Sequence, residues 1–189
     1  MYPLKRGVDL LFAIPLAAIL FIPVLLLCIV VRTTGDGPIF YWSNRIGRDN
    51  KLFLMPKFRT MQLHTPTVAT HLLKNPNLYL TPIGSVLRRT SLDEVPQLWS
   101  ILKGDMSLVG PRPALFNQED LISLRTERGI HRLLPGLTGW AQINGRDELA
   151  ISEKVELDAQ YLHRQSFLFD LKILWMTCLK VISKDGISH

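Results

Sequence analysis

Hydrophobic and polar positions change period several times along the chain, and each change marks an element. From Leu10 to Val31, 22 residues carry no charged side chain; the run is Leu, Ile, Val, Phe and Ala, interrupted by Pro15, Pro23 and Cys28. As a continuous helix it would be about 33 Å long, enough to cross a bilayer. It outruns the apolar stretch of a signal peptide and no small-residue cleavage site follows, so a retained membrane segment is expected. Pro23 removes a backbone hydrogen bond in mid-run and predicts a kink. Lys5 and Arg6 precede the run and Arg32 follows it, placing cations at both ends. Two geometries satisfy the pattern: a kinked helix that spans, or one that enters, bends at Pro23 and returns to the same face.

After Gly35-Asp36-Gly37-Pro38 the period shortens. Ile39-Phe40-Tyr41-Trp42 and Lys51-Leu52-Phe53-Leu54-Met55 flank Gly47-Arg48-Asp49-Asn50, which predicts a β-hairpin with a short polar turn. Residues 62–81 are polar and proline-punctuated and are expected to form a long loop. A short helical turn is predicted over Ile83–Arg89, and a helix from about Asp93 to Lys103-Gly104, with Thr90 and Ser91 as cap-type residues ahead of it. Asn117 is placed as the cap of a helix to about Arg132. Ser152–Arg164 reads as a mixed-charge helix with Val155, Leu157 and Leu162 facing inward. Phe167–Ile182 is dense in apolar residues but carries Asp170, Lys172 and Lys180. It suits either an interfacial helix with lysines at the headgroups or a buried core helix.

Composition narrows the picture modestly. The 189 residues suit one domain plus an anchor, and the net charge of +6 admits nucleic acid, anionic lipid or phosphorylated substrates. A basic recognition helix is absent, which argues against nucleic acid. Cys28 and Cys178 are isolated from each other and from metal-ligand spacing, which fits neither a disulfide framework nor a zinc site.

The candidate chemistry centres on Arg88-Arg89-Thr90-Ser91-Leu92-Asp93-Glu94-Val95-Pro96-Gln97. Adjacent carboxylates at a helix start suit a nucleophile or a metal ligand, and they suit a plain capping box equally well. In an extended strand Lys57 and Arg59 would share a face, either as a phosphate-binding pair or as charges guarding an edge strand. Arg112, between Pro111 and Pro113, is presented on a restricted backbone as a phosphate clamp or as a rigid exposed turn. In Gly136-Leu137-Thr138-Gly139-Trp140-Ala141-Gln142-Ile143-Asn144-Gly145-Arg146, glycines surround a Trp, with Gln142 and Arg146 nearby. Such a loop allows backbone approach to a ligand.

Taken together, Lys57-Phe58-Arg59-Thr60-Met61, the Arg88 to Gln97 stretch, Lys103 to Pro113 and Pro135 to Arg146 resemble the bacterial sugar transferases, the monotopic polyprenyl-phosphate phosphoglycosyl transferases, in their small form. The resemblance implies an α+β, mostly helical fold: a membrane-inserted helix over residues 1–34, re-entrant with its break near Pro23, and a cytosolic catalytic domain over 35–189 with a short hairpin and interfacial amphipathic helices. It implies transfer of a sugar 1-phosphate from a UDP-sugar to undecaprenyl phosphate, with release of UMP, at the cytoplasmic face of the bacterial inner membrane. Asp93 would be the nucleophile and Glu94 would hold Mg²⁺; Lys57, Arg88 and Arg112 would bind phosphate, and Gln142 and Arg146, with Trp140 between the glycines, would form the nucleotide-sugar pocket. Lateral association of the membrane helix into a homodimer is compatible with this. Ile22-Pro23 stands where the family has Ser-Pro, and Leu134 where many members have a basic residue. The alternative from a different class is a non-catalytic membrane-anchored scaffold of a glycan assembly complex.

Overall fold

The uncharged run folds as one helix, α1 (Lys5–Thr34), which stays helical through both Pro15 and Pro23. This computed structural model describes residues 2, 4–66, 75–145 and 149–183. Packing along α1 follows a stripe of Ala13, Ala17, Leu20, Val24, Leu27, Cys28 and Val31, spaced by threes and fours as one face of a helix requires. Its first half joins the main core with Leu98, Ile101, Met106, Leu108 and Ile173, and its second half joins a smaller core with Phe58 and Leu87. Both halves are therefore seated on the same folded body. The opposite face, with Leu11, Ile14, Ile19, Ile22, Leu25 and Ile29, is exposed, and α1 is long and apolar enough to cross a membrane.

The cations ahead of the run do not sit as headgroup anchors. Lys5 is 3% exposed, and its Nζ lies 2.6 Å from Asp170 Oδ2 and 3.4 Å from Asp9 Oδ1. Tyr2 and Tyr161 donate their hydroxyls to the two oxygens of Asp170, and Ser107 Oγ and the Leu108 amide donate to Asp9. Arg6 donates to the carbonyls of Ile101 and Leu102, in the last turn of a helix, where carbonyls lack a full set of intrahelical partners. The reason is burial: charges brought into the interior need partners, and these fasten α1 to the body.

The hairpin forms as β1 (Phe40–Ile46) and β2 (Leu52–Phe58), antiparallel, with Tyr41 opposite Lys57 and Ile46 opposite Leu52. Asp49 and Asn50 turn the chain in the left-handed region, as Asn and Asp tolerate. Of the stretch expected as a long loop, residues 67–74 lie outside the described residues and Pro76–Tyr79 is a 3₁₀ turn; beside β2, Met61 bridges Leu80, and the Thr81 amide donates to the Thr60 carbonyl at 2.9 Å. Helix α2 (Gly84–Arg89) follows, then a 3₁₀ segment over Leu92–Gln97, then α3 (Leu98–Lys103), which stops at left-handed Gly104.

A parallel pair is formed by β3 (Ser107–Val109) and β4 (Gly136–Thr138), which the sequence pattern did not foresee. It accounts for the glycine-rich run: a Cβ at Gly136 or Gly139 would collide with the backbone of Gly110. The close approach permitted there is backbone on backbone. Helix α4 (Glu119–Glu127) is shorter than expected and begins after Gln118 without a side-chain cap; Gln118 Oε1 instead accepts from the Leu115 amide. Gly129 ends it, and a 3₁₀ turn covers Ile130–Arg132.

The C-terminal half adds α5 (Trp140–Ile143), α6 (Ile151–Arg164) and α7 (Phe167–Ser183), giving a mostly helical α+β fold. Val155 and Tyr161 of α6 and Phe169 and Ile173 of α7 enter the core, while Leu168, Trp175 and Leu179 of α7 face outward. The inward side of α7 is thus that of a core helix, and its outward side is an exposed apolar strip.

Candidate active site

Three segments converge on Asp93 and Glu94. β2 supplies Lys57 from its inner register, α2 delivers Arg88 from its last turn, and the Pro-flanked loop after β3 supplies Arg112. Lys57 Nζ donates to Glu94 Oε1 at 2.8 Å and lies 3.8 Å from Asp93 Oδ2, and Arg112 Nη2 donates to the same Glu94 oxygen at 2.9 Å. Arg88 acts on Asp93 electrostatically, and its Nε donates to Thr60 Oγ1 at 3.0 Å. Both carboxylates are largely withdrawn from solvent, Asp93 at 7% and Glu94 at 9% exposure.

The local backbone differs from the expected cap. Ser91 lies in the left-handed region, φ 55° and ψ 17°, and makes no capping bond; the Thr90 hydroxyl turns back to Val86 and Leu87. The carboxylates then sit on a 3₁₀ turn, and only from Leu98 does the chain become α-helical. A non-glycine residue held at positive φ costs of order 1–3 kcal/mol, and such strain gathers at functional sites. Here it reverses the chain between α2 and the carboxylates, so that Arg88 and Asp93 face each other.

Burial and charge separate the two acids. Burial lifts the Asp93 carboxyl above its ordinary pKa; Lys57, Arg88 and Arg112 pull against this, and neighbouring Glu94 adds to it. Burial also opposes the Glu94 charge, but Arg112 and Lys57, by charge and by hydrogen bond, hold that carboxyl well below the usual range. Glu94 is the fixed anion of the cluster, and Asp93 is the more basic carboxylate. Three cations face two carboxylates, which leaves an excess positive charge suited to phosphate.

The other sequence candidates lie elsewhere. Arg59 donates its Nε to the Pro38 carbonyl, so the pair with Lys57 is not formed at the carboxylates. Trp140 donates to Gln160 Oε1 and packs on Phe169 at 5.1 Å between centroids, with Arg164 and Lys172 near its ring. Gln142 donates to the Leu137 carbonyl within its own loop. Arg146 lies outside the described residues. Thr60 had no assigned role in the sequence reading, although it stands in the same five-residue stretch as Lys57. Among the described residues no three His, Cys, Asp or Glu side chains gather as a metal cluster.

Comparison with known proteins adds the following. A family model described as "Bacterial sugar transferase" matches residues 1–184. The chain is 42% identical over 188 residues to the uncharacterized sugar transferase EpsL of Bacillus subtilis, covering 98% of this chain and 91% of that one. It is 39% identical to the exopolysaccharide production protein ExoY of Sinorhizobium fredii, with 96% and 87% covered. It is also 40% identical to the UDP-glucose:undecaprenyl-phosphate glucose-1-phosphate transferase of Escherichia coli, covering 94% of this chain and 40% of that longer protein.

Proposed function

Because the chain belongs to the bacterial sugar transferase family, we propose that it transfers a sugar 1-phosphate from a UDP-sugar to undecaprenyl phosphate and releases UMP. The observation that carries this is the pairing of a more basic, buried Asp93 with a firmly ionised Glu94 inside a ring of Lys57, Arg88 and Arg112. A carboxylate needs no base to attack, and raised basicity improves it as a nucleophile. An Asp93 oxygen attacks the sugar-linked phosphorus of the donor, the bond from that phosphorus to the UMP oxygen breaks, and UMP departs with the electron pair. An oxygen of undecaprenyl phosphate then attacks the same phosphorus and displaces Asp93. One set of cations stabilises the charge that develops on the phosphoryl oxygens in both displacements.

The donor set also suits Mg²⁺. Lys57 and Arg112 both engage Oε1 of Glu94, so the carboxylate is held ionised beside Asp93, and Mg²⁺ typically takes one or two carboxylates together with substrate phosphates and waters. Glu94 would hold the ion, with Asp93 adjacent. When bound, it would neutralise charge on the diphosphate of the donor. Lys57 and Arg112 keep Glu94 ionised and in place.

The same reading places the protein at the cytoplasmic face of the bacterial inner membrane, with the outward face of α1 in lipid. Support comes from the two halves of α1, both seated on the body that carries Asp93, an arrangement that favours entering and leaving by one face with a bend near Pro23. Purified protein incubated with UDP-sugars, Mg²⁺ and undecaprenyl phosphate should release UMP with at least one donor, and Asp93→Asn should abolish the release. A fully active Asp93→Asn variant would exclude the covalent route, and no release with any donor would favour the scaffold.

A further inference from the structure

We propose that Thr60 is a positioning residue for the transfer, its hydroxyl orienting the Arg88 guanidinium toward the phosphate held at Asp93; the inference rests on the reaction proposed above.

Arginine brings roughly 2 kcal/mol of rotamer entropy to any fixed pose, and α2, which carries Arg88, has only six residues to steady it. The guanidinium plane is held at Nε, which donates to Thr60 Oγ1 at 3.0 Å. Nε is the guanidinium donor nearest the stem, so a bond there sets the direction of the two terminal nitrogens. The acceptor is itself immobile. Thr60 is 6% exposed, and the backbone is pinned on both sides, by the Arg59 amide on the Ile39 carbonyl and by the Thr81 amide on the Thr60 carbonyl, each at 2.9 Å. A Cβ at Gly84 would collide with that same carbonyl, so α2 starts directly against Thr60. Hydroxyl and guanidinium therefore share one rigid frame.

The chemistry of the acceptor matters as much as its place. Lys57 and Arg112 donate to the carboxylate of Glu94, which offsets their charge. At Thr60 the partner of Arg88 is a neutral oxygen, which orients the guanidinium without offsetting its charge, and that charge acts on Asp93 and would act on a phosphoryl group there. A carboxylate at position 60 would orient Arg88 equally well and neutralise it.

The test uses the full-length protein. Thr60→Val keeps the shape and deletes the acceptor, and Thr60→Ser restores it. With UMP release as readout, Thr60→Val should lower kcat about tenfold to hundredfold while KM for undecaprenyl phosphate changes little, and Thr60→Ser should recover most of the rate. Arg88→Ala combined with Thr60→Val should be no slower than Arg88→Ala alone, because both act through one guanidinium. Calorimetric titration with inorganic pyrophosphate, which needs no turnover, should show weaker binding by Thr60→Val and recovery in Thr60→Ser. An active wild type with an unchanged Thr60→Val, or a Thr60→Val loss that adds fully to that of Arg88→Ala, would overturn the role. A wild type that releases no UMP counts against the reaction, and the pyrophosphate titration then decides on Thr60 alone.

Discussion

Replacing either acid by its amide should move stability in opposite directions. Glu94→Gln removes the charge that Lys57 Nζ and Arg112 Nη2 both address, at 2.8 and 2.9 Å. A hydrogen bond to a charged group contributes about 1.5–3 kcal/mol, and leaving one member of a buried pair uncompensated costs about 3–5 kcal/mol. The Lys57 side chain is 16% exposed and that of Arg112 is 30% exposed, so water recovers part of the loss and about 3 kcal/mol is the expected cost. For a domain of this size that is a fall in Tm of roughly 6–12 °C. The sign with pH follows from the depressed pKa of Glu94. Its contribution is present above the unfolded carboxylate pKa and is lost as pH falls through the lower folded value, so the gap between wild type and Glu94→Gln should close in strong acid. Asp93 behaves oppositely. Its folded pKa is raised, so ionising it costs stability as pH rises through that value, and Asp93→Asn should melt above wild type at neutral pH. Melting followed by tryptophan fluorescence in detergent with EDTA measures both. A Glu94→Gln variant as stable as wild type, or an Asp93→Asn variant destabilised like Glu94→Gln, would refute the assignment of one anchored and one strained carboxylate.

Three other outcomes are expected. UMP release should decline on acidification at a pH above the ordinary aspartate range, since protonating Asp93 removes the nucleophile, and Arg88→Ala should move that limb further up; the pH–rate profile checks both. Lys5→Met leaves Asp9 and Asp170 buried without their cation and should cost about 3–5 kcal/mol, seen as a lower melting temperature even though residue 5 is remote from the carboxylate cluster in sequence. Single cysteines at Leu4, which is 74% exposed, and at Arg32, in a variant lacking Cys28 and Cys178, should both react with an impermeant maleimide from the same side of sealed vesicles, whereas labelling from opposite sides would indicate a span.

Much of this was legible in the chain itself because the signals were local. The uncharged run, the hairpin around Asp49-Asn50 and the stop at Gly104 depend on period and turn chemistry, and they appear where the pattern puts them. The grouping of Lys57, Arg88 and Arg112 on the two acids was reached through resemblance, and the coordinates bring those side chains together. What could not be read depended on distant partners. Lys5 and Arg6 look like membrane-flanking charges until Asp170 and the end of α3 are placed beside them. Ser91 looks like a cap until the reversal between α2 and the 3₁₀ turn takes its φ to positive values. The strands β3 and β4 are three residues each, too short for any alternation to show. The glycines around Trp140 and Gln142 could not be divided by role from the sequence: Gly136 and Gly139 pack against the Gly110 backbone, a contact that needs the distant strand β3 in place.

The double allegiance of α1 has a practical corollary. Its greasy outer side suits lipid, while its inner side roofs the main core, so clipping the helix away to obtain a water-soluble protein would uncover that core and strand Asp170 without its lysine. For this protein, extraction should carry α1 along, with detergent or nanodisc to cover its outer side and keep the rest folded.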